Sequence, residues 1–127
     1  MAQTTLDCTL SGPPPYNCQG CNLSGMNLAG KDLTHANFQS ATLTGTIFKD
    51  VVSMAGANLT GATMGNGTDF SGCDLSTAIF GPNPNFGSNA SNLTKLIGAT
   101  IPYATLGTTW RYLDLTKTSI TGLPQDL

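Results

Sequence analysis

Apolar residues recur at every fifth position from Cys18 onward. The series runs Cys18, Leu23, Leu28, Leu33, Phe38, Leu43 and Phe48. After one extra residue it resumes at Met54, Leu59 and Met64, and after a second it continues with Phe70, Leu75 and Phe80. With 39% of the chain apolar, thirteen such hits in a fixed register have a chance probability of about 5 × 10⁻⁶. A period of five matches neither the helix nor the strand repeat. It suits a coil with four short sides, each ending in a corner. Twenty residues then complete one coil, and successive coils stack about 4.8 Å apart through parallel backbone hydrogen bonds.

The other positions of the unit carry their own pattern. Two residues before each centre the side chain is small or β-branched, as at Cys21, Ala36, Ala41, Thr46, Val52, Ala57, Ala62, Thr68, Cys73 and Ala78. Asn or Asp precedes many centres (Asn17, Asn22, Asn27, Asp32, Asn37, Asn58, Asp69, Asp74), which suits turns. Gly recurs two residues after the centre, where corners need unusual backbone angles. The large centre and the small residue both point inward. The predicted inner columns are Cys18, Phe38, Leu59, Phe80; Leu23, Leu43, Met64; Leu28, Phe48, Phe70; and Leu33, Met54, Leu75. The two single insertions, near Val51 and Gly67, are expected to bulge at corners.

The runs Cys21-Asn22-Leu23-Ser24-Gly25, Ala36-Asn37-Phe38-Gln39-Ser40, Ala57-Asn58-Leu59-Thr60-Gly61 and Cys73-Asp74-Leu75-Ser76-Thr77 resemble the pentapeptide-repeat proteins, whose unit reads A-(D/N)-L-x-x. The resemblance implies an all-β fold, a right-handed four-sided parallel β-helix of about five coils. It is clearest over 16–82 and specifies fold far better than function.

The ends differ from the middle. No Pro falls between Tyr16 and Gly81. Cys8–Gly12 reads as one further unit, set apart by Pro13–Pro15. Tyr16, Met26 and Lys31 break the small-residue rule and suggest an N-terminal cap, because a stack must close its end. Lys31 is expected to snorkel towards that end, with Asp32 and Asp7 as alternative partners. Residues 81–95 read as a loop. The repeat returns at Leu96, Ile101, Leu106, Leu115 and Ile120, so 96–127 forms a C-terminal coil and cap, and 1–127 is a single domain.

Composition then narrows the function. There are 5 basic and 7 acidic residues, every acid is Asp, and the net charge is −2. Such a chain is neither a basic nucleic-acid binder nor a disordered polyelectrolyte. It shows no signal peptide and no apolar run of the roughly 18 residues that span a bilayer, so no membrane role and a cytoplasmic location are the default expectations. The N-x-S/T sequons follow from the repeat itself and carry no message of secretion.

Cys18-Gln19-Gly20-Cys21 has the C-x-x-C spacing of redox and zinc sites. The register nevertheless puts Cys18 at a centre and Cys8, Cys21 and Cys73 at small slots. Four buried thiols are the favoured reading, with a disulfide among Cys8, Cys18 and Cys21 as the alternative and a metal site behind it. His35 falls on a corner, with no nucleophile or carboxylate placed to make a triad. No cofactor, metal or catalytic residue is expected, and the chain reads as a non-enzyme.

Tyr103, Trp110, Arg111, Tyr112 and Leu113 are the candidate interface, since aromatic residues and Arg are enriched at binding hot spots. A hydrophobic cap over the last coil is the competing role, and a small-ligand site the third. The expected function is a non-catalytic structural or interaction solenoid, alone or within a larger assembly, with an unidentified protein partner and a homodimer through a coil end as a further expectation. The alternative comes from the resemblance, because some family members bind DNA gyrase as acidic mimics of DNA. Duplex DNA carries a charge every ~1.7 Å of axis, so a rod ~25 Å long needs on the order of ten or more negative charges to imitate it. Residues 16–82 hold four Asp and two Lys. Asp32 and Asp74 share a face with Ser53 between them, which is not an acidic stripe.

Overall fold

The computed structural model describes residues 5–81, 84–87, 93–102 and 113–121. Among these residues there is no helix, and every strand pairing and isolated bridge is parallel. The bridges fall into four columns that the chain visits in turn. The first runs Asn17–Asn37–Asn58–Ile79 and the second Asn22–Thr42–Thr63–Asn85. The third, Asn27–Ile47–Asp69–Lys95, continues to Asp114 through the pairing of β1 (Thr94–Lys95) with β3 (Leu113–Asp114). The fourth holds Asp32–Ser53 and, separately, Asp74–Thr100, then passes to Ser119 where β2 (Thr100–Pro102) pairs with β4 (Ser119–Thr121).

One unit explains the rest. The centre donates its N–H to the next rung, as from Cys18 to Asn37 O at 2.7 Å and from Phe38 to Asn58 O at 2.8 Å. The Asn or Asp before it folds back on its own turn. Asn22 Oδ1 accepts the Ser24 N–H at 3.1 Å, Asp32 that of Thr34 at 3.1 Å, and Asn58 that of Thr60 at 3.0 Å. This is the Asx turn, in which a short polar side chain stands in for a backbone acceptor. Two residues after the centre the chain enters the left-handed region, from Gly20 (φ 70°) to Gly72 (φ 73°), which is why glycine favours that place. His35 (59°), Ser40 (57°) and Asp50 (66°) occupy equivalent corners without being glycine.

All thirteen centres are buried, and an aromatic spine threads them. Phe38 meets Phe48 edge-on at 5.7 Å, Phe48 stacks on Phe70, and Phe70 meets Phe80 at 6.1 Å. The small slots do more than fit. Thr46 Oγ1 donates to Leu23 O at 2.7 Å, Thr68 Oγ1 to Leu43 O at 2.7 Å, and Cys73 Sγ to Phe48 O at 3.2 Å. Each adds a second donor to the carbonyl of a centre one coil earlier, which already accepts a turn N–H, so the remaining lone pair is engaged from inside the core.

Three details differ from the sequence reading. Val51, not Val52, takes the small inward slot, and Val52 is 69% exposed. The inserted residue therefore bulges on the flat fourth column instead of at a corner, and it is Val52 N–H that bonds Lys31 O at 2.8 Å. Within the segment read as a loop, 81–95, Asn85 bridges Thr63, Phe86 is buried beneath the second column, and β1 begins at Thr94. Phe86 extends the spine, lying 5.6 Å from Phe80.

The third difference corrects the favoured reading of four free thiols. Cys8 and Cys21 form a disulfide, with Cα atoms 5.4 Å apart, while Cys18 and Cys73 are free and buried. Cys8 lies against the same corner as Cys21, one rung earlier. The short N-terminal rung brings them together across only 13 residues, so the twenty-residue period does not reveal the pair. Leu10 is buried over the first coil, Asp7 N–H bonds Asn17 O at 2.8 Å, and Lys31 Nζ donates to Leu10 O at 3.0 Å. Lys31 Nζ also lies 5.9 Å from the Tyr16 ring centroid. Residues 7–12 thus close the N-terminal end, and Lys31 reaches that end through a carbonyl and an aromatic ring.

Candidate interaction surface

The groups with chemical potential are mostly spent on the fold. Burial pushes the thiols of Cys18 and Cys73 up to about 12, with Asp7 adding to the first and Asp69 and Asp50 to the second. A thiol in that range is not a nucleophile at neutral pH. Bonds from the Thr34 and Ser76 side chains and amides hold Asp32 and Asp74 below the ordinary carboxylate value. Thr116 does the same for Asp114, and the Gly12 N–H for Asp7. These carboxylates are anions that accept turn N–H groups. His35 is exposed at its corner, beside Gly56 of the next coil. Among the described residues no three of His, Cys, Asp and Glu cluster as a metal site would require.

What faces outward is a set of ordered columns. The first presents three Asn side chains in register, Asn17, Asn37 and Asn58. The third sets Asp69, Lys95 and Asp114 one above another, so its charges alternate. The fourth carries Asp32 and Asp74. Its bridges join Asp32 to Ser53 and Asp74 to Thr100, but none joins Ser53 to Asp74. A cleft of about 440 Å³ lies at that interruption, lined by Val52, Ser53, Met54, Asp74, Ser76 and Thr77 among others. Across it, Gly56 N–H reaches the Thr77 hydroxyl at 3.1 Å instead of a carbonyl. No sequence signal marks this cleft apart from the single insertion that precedes it.

Of the candidate interface, Leu113 is half-buried in β3 opposite Thr94. Tyr103, Trp110, Arg111 and Tyr112 lie outside the described residues.

Parallel rungs, five-residue sides and four columns define a solenoid whose coils pair only with their neighbours. A family model described as pentapeptide repeats matches residues 17–52 in eight copies, so that stretch of the chain carries pentapeptide repeats. No curated protein matches it significantly. Among the described residues no helix is long and apolar enough to cross a membrane.

Proposed function

We propose that the chain is a right-handed, four-sided parallel β-helix of about five coils that acts as a non-catalytic protein-interaction module. The observation that carries this reading is the engagement of its reactive groups. The free thiols are buried and protonated, and Asp7, Asp32, Asp74 and Asp114 are occupied by their own turns. The surface left over consists of flat columns of amides and hydroxyls with few charges, which suits contact with another protein. Bait carrying the whole chain should capture a discrete partner from host lysate. Substitution of Trp110 or Tyr112 by Ala should weaken that capture if the C-terminal aromatics contribute. Failure to retain any protein would remove the support for this reading.

DNA mimicry draws little from these faces, because Lys95 separates Asp69 from Asp114 in one column and only Asp32 and Asp74 charge the other. A gyrase supercoiling assay unaffected by excess protein is the expected result. As to location, disulfides persist in oxidising compartments. The Cys8–Cys21 bond therefore favours an exported or lumenal setting over the cytoplasmic default.

A further inference from the structure

The fourth column is the only one interrupted between successive rungs among the described residues. The cause is local. Val52 is the extra residue, and its bulge shifts the register of the upper rung by one position at the point where the lower rung must pair. On the lower rung the corner residue is Thr77, which lacks the positive φ found at the Gly, His, Ser, Asp and Asn corners before it. A β-branched residue resists that conformation. An uninterrupted ladder would bond Met54 N–H to Asp74 O, and Asp74 N–H to Val52 O. Neither bond forms, and among the described residues none of these four groups has another backbone partner.

We propose that this cleft receives a short extended segment of a partner protein, its backbone pairing with the freed groups of Val52, Met54 and Asp74 and a basic side chain meeting the Asp74 carboxylate. The inference rests on the interaction-module reading and names the partner's chemistry. Two N–H donors and two carbonyl acceptors in one opening match the alternating groups of a peptide edge, the logic of strand addition. The exposed Val52 side chain offers an apolar contact at the rim. Asp74 selects for a basic residue, and Cys73 Sγ–Phe48 O and Gly56 N–Thr77 Oγ1 tether the two sides, limiting the segment to a few residues.

The test uses the ¹⁵N-labelled full chain titrated with a capped pentapeptide TKVKT and its acidic counterpart TEVET. TKVKT should shift the amide resonances of Met54 and Asp74 first, and TEVET should bind several-fold more weakly. Deleting Val52 restores five-residue spacing, so the Ser53–Asp74 bridge should close, amide exchange at Met54 and Asp74 should slow, and the peptide shifts should disappear. Asp74→Asn keeps the turn to Ser76 and removes only the charge, and should weaken TKVKT about two- to fivefold, as for an exposed charge pair. That variant keeps the test decisive if the deletion does not fold. Absence of shifts at millimolar peptide, or affinity unchanged in the folded variants, overturns the proposal. A lysate partner retained by the Val52-deleted chain, with the peptide silent, overturns the cleft alone and leaves the module standing.

Discussion

The Phe48 and Phe70 rings lie face to face, with centroids 4.5 Å apart and planes within 12° of parallel, one coil above the other. Both are fully buried, and each also meets a ring from another side of the stack, Phe48 that of Phe38 in its own coil and Phe70 that of Phe80 in the next. Replacing Phe70 with Ala leaves a cavity between two coils that neighbouring rungs cannot fill, because their spacing is fixed by backbone hydrogen bonds. The expected cost is about 3–5 kcal/mol, read as a shift in urea midpoint with little change in slope. Phe38→Ala should cost a similar amount, and a melt unchanged by either substitution would contradict the register.

Two buried hydroxyls allow a sharper comparison. Thr46 donates a single bond, to Leu23 O. The Thr68 hydroxyl lies within hydrogen-bond distance of both Leu43 O and Gly65 O, which share its single proton, and accepts the buried Gly65 N–H at 2.9 Å. Thr68→Val keeps the shape but strands a buried donor, so it should destabilise by about 1–3 kcal/mol. Thr46→Val removes one donor from a carbonyl that also accepts Met26 N–H, and should cost less. Thr68→Ser should recover most of the loss. Equal midpoints for the two Val variants would show that the Thr68 network contributes nothing.

These slots show where sequence reading stops. The centres and columns were legible because a large apolar residue every fifth position has one geometric solution. Thr46, Thr68 and Cys73 were legible only as small residues; that their polar atoms cap a carbonyl of the preceding coil depends on rung geometry. Val52 was legible as an insertion but not as the extruded residue, because Val51 and Val52 are chemically identical. Phe86 was hidden by the prolines around it, and the Cys8–Cys21 bond by a first rung shorter than the repeat.

Gly56 and Gly20 are both left-handed corners, yet they differ in surroundings. A Cβ on Gly20 meets nothing within 4 Å, whereas one on Gly56 would lie 2.4 Å from His35 Nδ1. Ala at either position costs roughly 1 kcal/mol for its backbone conformation. Gly56→Ala must also displace the imidazole, so it should melt lower than Gly20→Ala. In a His35→Ala background the difference should vanish, a coupling that a double-mutant cycle measures directly.

The disulfide ties the N-terminal rung to the first coil, and its contribution should appear on reduction. Closing a loop of this size contributes about 2–4 kcal/mol through the unfolded state. Cys8→Ser or a reductant should lower the melting temperature accordingly and speed proteolysis within residues 5–12. Cys18 and Cys73 should remain unmodified by a thiol reagent at pH 8 in the folded protein, since their thiols titrate at about 12. Rapid labelling of either before unfolding would show that the core is open.

Acid should weaken the fold through its turns. In the folded chain Asp32, Asp74 and Asp114 lie below the ordinary value of 3.8, chiefly because the side chains of Thr34, Ser76 and Thr116 bond the ionised carboxylate. A depressed folded value means that the unfolded chain binds protons first as pH falls. Stability from these groups is therefore fully present above the unfolded value and is lost as pH drops through the folded one. The melting temperature should be flat from pH 7 to about 5 and fall below about 4. Replacing all three with Asn keeps an acceptor for each turn N–H while removing the titration, as the natural Asn22 and Asn58 already do. The triple variant should lose the part of the acid-side decline that these three carry, keeping only that of Asp7, without unfolding at neutral pH. A decline of unchanged steepness would place the acid sensitivity elsewhere in the chain.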